Sequence, residues 1–120
     1  MEEYRISRVE RHGFEDVISL HLERDGVAIS VEVPTVVLEE LGAEELREGE
    51  RVEVEVGSSR PELEEWDIVM RGRVFDVKEV EGERVLYASF GGLQFRLRAE
   101  DLPVDVPVGG VLYFAMRLPR

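Results

Sequence analysis

Val52-Glu53-Val54-Glu55-Val56 sets three valines against two glutamates in strict alternation. Successive side chains of an extended chain point to opposite faces, so this stretch makes a strand with one apolar and one wet face. Working upstream, Val27, Ile29, Val31 and Val33 alternate with Ala28, Ser30 and Glu32 in the same way. Downstream, Leu93, Phe95 and Leu97 alternate with Gln94, Arg96 and Arg98. All three segments read as half-buried strands, since a helix of about 3.6 residues per turn would scatter each apolar set around its circumference.

Turn chemistry joins these strands to others. Tyr4 to Arg11 and Phe14 to Glu23 read as a hairpin around His12-Gly13, and Asp25-Gly26 is a tight-turn pair leading into the Val27 strand. Pro34 stops that strand. Thr35 to Leu41, with Val36, Val37, Leu38 and Leu41 ahead of Gly42, predicts a short helix with a glycine cap. A second short turn is expected over Ala43 to Leu46. Gly57 to Glu65 holds Ser58, Ser59 and Pro61, lacks periodicity and reads as an exposed loop. Trp66 to Val80 and Arg84 to Phe90 form a hairpin through Glu81-Gly82-Glu83, and Gly110 to Leu118 supplies the last strand after a loop bracketed by Pro103 and Pro107. About eight short strands with few helical residues imply an all-β antiparallel barrel or sandwich. Residues 1–120 are expected to form a single domain, because neither side of the 57–65 loop has enough strands to close a core alone.

Composition narrows the function classes. Hydrophobic residues make up 43% of the chain, enough to offset ordering entropy and exclude a disordered acidic tail. Cysteine is absent, which removes disulfides and thiolate metal sites and points to a reducing cytoplasm. Met1-Glu2-Glu3-Tyr4-Arg5 lacks the basic-then-apolar layout of a signal peptide, and the longest apolar run, Val111 to Met116, is too short to span a bilayer. No membrane partner is expected. A net charge of −12 repels the phosphate backbone and weighs against strong direct binding of nucleic acid. Glu and Arg interspersed along the chain match the ion-pair-rich surfaces of heat-adapted proteins, which suggests a thermophile source.

No group of residues supports catalysis or metal binding. His12 and His21 flank a hairpin turn without a third nitrogen or sulfur ligand, so they read as surface or packing residues. Glu39-Glu40, Glu44-Glu45 and Glu64-Glu65 lack the alternating oxygen ligands and central glycine of a calcium loop. The serines have no nucleophile-elbow context, and no phosphate-cradling loop precedes a helix. Gly91-Gly92 reads as a place where a strand turns a barrel corner or adopts positive φ. Tyr87, Phe90 and Phe95 beside Arg96 and Arg98 offer the one arrangement resembling a base-stacking platform; parity buries Phe95 with Leu93 and Leu97 and turns both arginines outward.

The second half of the chain is more specific. It carries Asp67-Ile68-Val69-Met70-Arg71-Gly72, then Phe75, Glu79-Val80, Tyr87-Ala88-Ser89-Phe90-Gly91-Gly92-Leu93 and Arg96-Leu97. These segments, in this order and spacing, resemble the eighth subunit shared by the three nuclear RNA polymerases. The likeness covers Trp66 to Leu118, and before Trp66 only the strand pattern agrees. Where the nuclear members carry a long acidic insertion, this chain has the short 57–65 loop. It therefore looks like the archaeal form of that eighth subunit of DNA-directed RNA polymerase.

The resemblance implies an eight-stranded antiparallel barrel related to the oligonucleotide/oligosaccharide-binding (OB) fold, with one short helix, docked on the largest polymerase subunit. It implies a role in assembly or stability of the transcription complex, with no catalytic, cofactor or metal residue of its own. Ser89, Phe90, Gly91, Gly92, Leu93 and Arg96 are the candidate partner-binding residues, because paired glycines let another backbone approach closely. The overall acidity leads one to expect a basic region on the large subunit, and an isolated chain that is monomeric. The alternative is a free-standing OB-fold protein that binds single-stranded nucleic acid through a basic groove and stacked aromatics.

Overall fold

The computed structural model describes residues 2–12, 16–43 and 45–119. Its strands are β1 (Glu2–Arg11), β2 (Val17–Arg24), β3 (Val27–Pro34), β4 (Arg51–Gly57), β5 (Ile68–Val80), β6 (Glu83–Phe90), β7 (Leu93–Ala99) and β8 (Val111–Arg117). A helix, α1 (Thr35–Glu40), follows β3, and a single 3-10 turn (Leu63–Glu65) precedes β5. The strands pair in the order β1-β2-β3-β7-β6-β5-β8-β4, and β4 pairs back onto β1 to close the ring. Every pairing is antiparallel. The expected all-β barrel with one short helix is what forms, and two three-strand meanders joined by longer returns suit a relative of the OB fold.

The alternating segments behave as their pattern requires. Ile29, Val31 and Val33 are buried, as are Val52 and Val54, while Glu32, Glu53 and Glu55 remain on the outer side. Phe95 and Leu97 are buried and Arg96 is exposed. Inside the ring, Phe90, Phe95 and Phe114 pack with centroids 5.3, 6.5 and 5.7 Å apart, which joins β6, β7 and β8 through offset and edge contacts.

Three hairpins are closed by two-residue turns in which both residues have positive φ: Asp25-Gly26, Glu81-Gly82 and Gly91-Gly92. Such turns match the right-handed twist of the strands they join. The third expected turn residue, Glu83, instead begins β6 opposite Val80. Positive φ at Gly91 and Gly92 comes from hairpin closure, so of the two structural roles considered for this pair the turn applies. Of the His12-Gly13 turn expected between β1 and β2, Gly13 lies outside the described residues, as do Phe14 and Glu15 at the expected start of the second strand and Glu44 in the expected turn over 43–46.

The helix ends as its glycine predicts. Gly42 has φ +69, its N–H donates to the Glu39 carbonyl, and the Ala43 N–H donates to the Leu38 carbonyl at 2.8 Å. This Schellman arrangement satisfies carbonyls that would otherwise be left unpaired, and it leaves Leu38 buried in the barrel core. The 57–65 loop is exposed at Ser58, Ser59 and Arg60 but buries Pro61 and contains the 3-10 turn, which carries no periodic apolar signal.

Candidate docking surface

The turn that joins β6 to β7 is built from both ends. Phe90 is anchored in the core, and the Ser89 hydroxyl oxygen accepts the Gly92 N–H at 3.1 Å. Gly91 and Gly92 are then presented to solvent, and a Cβ placed on either would meet nothing within 4 Å. Leu93 is half-buried and Arg96 exposed. The structure thus separates the six candidate residues: Phe90 faces inward and Ser89 holds the turn, while Gly91, Gly92 and Arg96 are open to a partner.

Several other motif residues serve the barrel itself. A Cβ on Gly72 would fall inside van der Waals contact of the Ser89 carbonyl oxygen and 2.6 Å from the Phe90 ring, so glycine permits β5 to pass close over β6. The Asp67 carboxylate accepts the Leu118 N–H at 2.8 Å and the Asp67 N–H donates to the Met116 carbonyl at 3.1 Å, which fastens the end of β8. Arg117 lies 5.2 Å from the Trp66 ring centroid and donates to the Glu65 carbonyl, a cation–π contact that seals the same corner.

Cross-strand register shows which residues share the outer wall of β5, β6 and β7. Arg73, Ser89 and Gln94 form one row, Asp76, Tyr87 and Arg96 a second, and Lys78, Val85 and Arg98 a third. Between the first two rows the β5–β6 register slips, so that Phe75 and Asp76 both oppose Tyr87. A bulge of this kind re-aims a side chain. Phe75 is 52% exposed, and its ring lies 6.1 Å from Tyr87. The arrangement of Tyr87, Phe90 and Phe95 that resembles a base-stacking platform in sequence is not assembled: Phe95 is buried as its parity requires, Phe90 is core as well, and Tyr87 pairs with Phe75.

The second row continues across the sheet through Ser30 and His21 to Arg8. Along it runs a directional chain of hydrogen bonds. Glu10 Oε1 can only accept, so His21 Nε2 carries a hydrogen and donates to it at 2.6 Å. In the neutral imidazole Nδ1 then accepts from the Ser30 hydroxyl at 2.8 Å, and the Ser30 oxygen in turn accepts from Arg96 at 3.4 Å. The bond from His21, with the Arg8 charge as a smaller contribution, holds the Glu10 carboxyl below its ordinary range. A shallow recess of about 220 Å³ opens beside this chain, lined by Ser30, His21, Tyr87 and Arg96 among others.

Sequence reasoning missed Phe75 and Tyr87 as a surface pair and missed the His21 chain. One signal was present for Phe75: Ile68, Met70, Gly72 and Val74 keep parity on β5, and an aromatic directly after Val74 breaks it. Nothing in the sequence marks His21, Ser30 and Arg96 as neighbours. Among the described residues no group of three or more His, Cys, Asp or Glu could hold a metal ion, and no helix is long and apolar enough to cross a membrane.

Comparison with known proteins adds one decisive result. No curated protein matches the chain. Among solved structures, the cytoplasmic molybdate-binding protein ModG, in a form with molybdate bound, is 10% identical over 98% of this chain and 94% of that one, with a TM-score of 0.36; a likeness this low carries no argument. The family model for RNA polymerase Rpb8 matches residues 4–117, which takes in all but the first two residues of the ring. The motif segments from Asp67 to Leu97 and the closed barrel belong to that match, and the chain is a member of the Rpb8 family of small, non-catalytic RNA polymerase subunits.

Proposed function

We propose that this chain is the archaeal form of the subunit, that its residues act as one folding unit, and that it docks on the largest polymerase subunit to support assembly or stability of the transcription complex. The family match over residues 4–117 is the observation that carries this reading. The compact segment between β4 and β5, in place of a long acidic insertion, supports the archaeal assignment. Ion pairs that tie neighbouring strands, such as Arg5–Glu23 and Arg51–Glu3, each at 3.0 Å, and Arg24–Glu2 at 2.6 Å, fit a heat-adapted cytoplasmic host.

The exposed part of the turn, Gly91 and Gly92, with Leu93 and Arg96 beside it, supplies contact to that partner, while Ser89 and Phe90 hold the turn in shape. Reconstitution tests the reading. The full chain mixed with the largest subunit alone should co-elute with it in near-equal amount through moderate and high salt. Co-elution with another subunit only, or with none, would overturn the choice of partner.

A further inference from the structure

The outer wall of β5, β6 and β7 has a charge opposite to that of the molecule. Its outward positions present Arg73, Lys78, Arg96 and Arg98 against the carboxylates of Asp76 and Glu83, in a chain with 27 acidic and 15 basic residues. Several guanidinium groups elsewhere close on carboxylates of the same chain: Arg5 on Glu23, Arg24 on Glu2, Arg51 on Glu3 and Arg117 on Glu53. On the wall, Arg98 is held by Glu83 at 2.6 Å and Lys78 by Asp76 at 3.4 Å. Arg73 and Arg96 have no carboxylate partner among the described residues; Arg73 donates to the Gly109 carbonyl, and Arg96 makes only its long bond to Ser30. A guanidinium without an ion pair is not peculiar to this face, since Arg60, Arg71 and Arg84 also lack one among the described residues; here, however, two of them flank an exposed aromatic pair.

The same wall carries the exposed aromatic pair. Phe75 stands out on its bulge against Tyr87, and Lys78 Nζ lies 5.7 Å from the Tyr87 ring centroid. Rings of this kind bury large apolar area on contact and serve as anchors at interfaces, with charged residues around the rim. Beside Tyr87, the recess bordered by Arg96, Ser30 and Glu32, whose Oε1 already accepts the Gln94 N–H at 2.6 Å, has room for a carboxylate side chain on its Arg96 side.

We propose that this wall receives an acidic segment of another polymerase subunit, with a carboxylate seated on Arg96 at the recess and an apolar side chain packed on Phe75 and Tyr87. The inference rests on the polymerase-subunit reading and reverses the partner charge suggested by the chain's overall acidity. A protein suits the face better than a nucleic acid does. Asp76, Glu32 and Glu83 are interspersed with the cations, so a continuous run of phosphates would meet them, whereas a folded partner sets isolated carboxylates with apolar residues between.

Lys78 is the chain's only lysine and lies on this wall, which makes the test specific. Polymerase is reconstituted with the full wild-type chain, or with Arg73→Glu/Arg96→Glu, Phe75→Ser, or Arg60→Glu as an exposed-loop control, each first checked for an unchanged thermal melt. Carbodiimide treatment then joins Lys78 to any carboxylate in contact, and the adduct is located by mass spectrometry. Expected are a Lys78 adduct with an Asp or Glu of another subunit, incorporation reduced about tenfold or more by the double charge reversal and by Phe75→Ser, and no loss for Arg60→Glu. Failure of the wild type to incorporate would overturn the polymerase reading itself. Incorporation of all variants at the wild-type level, with no Lys78 adduct to another subunit, would overturn this inference and leave that reading standing. Protection of Lys78 by nucleic acid instead of protein would likewise overturn it.

Discussion

His21 shows how a side chain that looks unremarkable in sequence acquires a defined role. It lies on the wet face of β2, bonded through one nitrogen to Glu10 and through the other to Ser30. The bond to Glu10 favours the carboxylate, so the Glu10 carboxyl should titrate below the ordinary glutamate range. Because the folded value is depressed, the stabilisation from this bond is fully present above the unfolded pKa of about 4.3 and is lost as pH falls through the folded value. Carboxyl NMR titration should show this low midpoint in the wild type, and in His21→Phe, which cannot donate to Glu10, it should return upward. An unmoved midpoint would mean that Arg8 sets it. Gly72 makes a complementary point. Its place in the Met70-Arg71-Gly72 segment was legible as part of a motif, but its reason was not, because the Ser89 carbonyl that excludes a Cβ is 17 residues away in sequence.

At the scale of elements, the hairpins and the helix were legible because each is fixed by neighbours in sequence. Asp25-Gly26 and Gly91-Gly92 supply the positive φ their turns need, and Gly42 supplies it for the helix cap. The two glycine positions of the β6–β7 turn should respond differently to substitution. Gly91, at φ +60, lies where asparagine is tolerated, so Gly91→Asn should change stability by less than about 0.5 kcal/mol. Gly92, at φ +96, should lose about 1 kcal/mol or more as alanine, although its Cβ would meet no atom. Urea midpoints at constant slope would separate the two, and if the turn docks as proposed, stable Gly91→Asn should still incorporate less well into polymerase. What could not be read was the order of strands and the outer wall they create. Pairing β3 with β7 places Ser30 beside Arg96 across 66 residues, and alternation reports which face a residue occupies but not which strand lies next to it. The slip at Phe75 was similarly hidden, since a bulge is defined by the partner strand.

For the whole molecule, the ring makes its parts interdependent. Phe90, Phe95 and Phe114 meet inside the barrel from three different strands, and β8 bridges β5 to β4 and so links the two meanders. Phe114→Ala should therefore cost about 3–5 kcal/mol and lower the melting temperature of the entire barrel in one transition, with near- and far-ultraviolet circular dichroism changing together. Separate transitions for the two meanders would show that the ring is not a cooperative unit. Closure has another consequence. The sheet's terminal strands, β1 and β4, pair with each other over residues 2–5 of β1, so among the described residues no strand is left with a whole edge open to template a second copy. A subunit made in excess of its partners should therefore stay monomeric while it waits for a place in the complex, which sedimentation of the isolated chain over a range of concentrations checks.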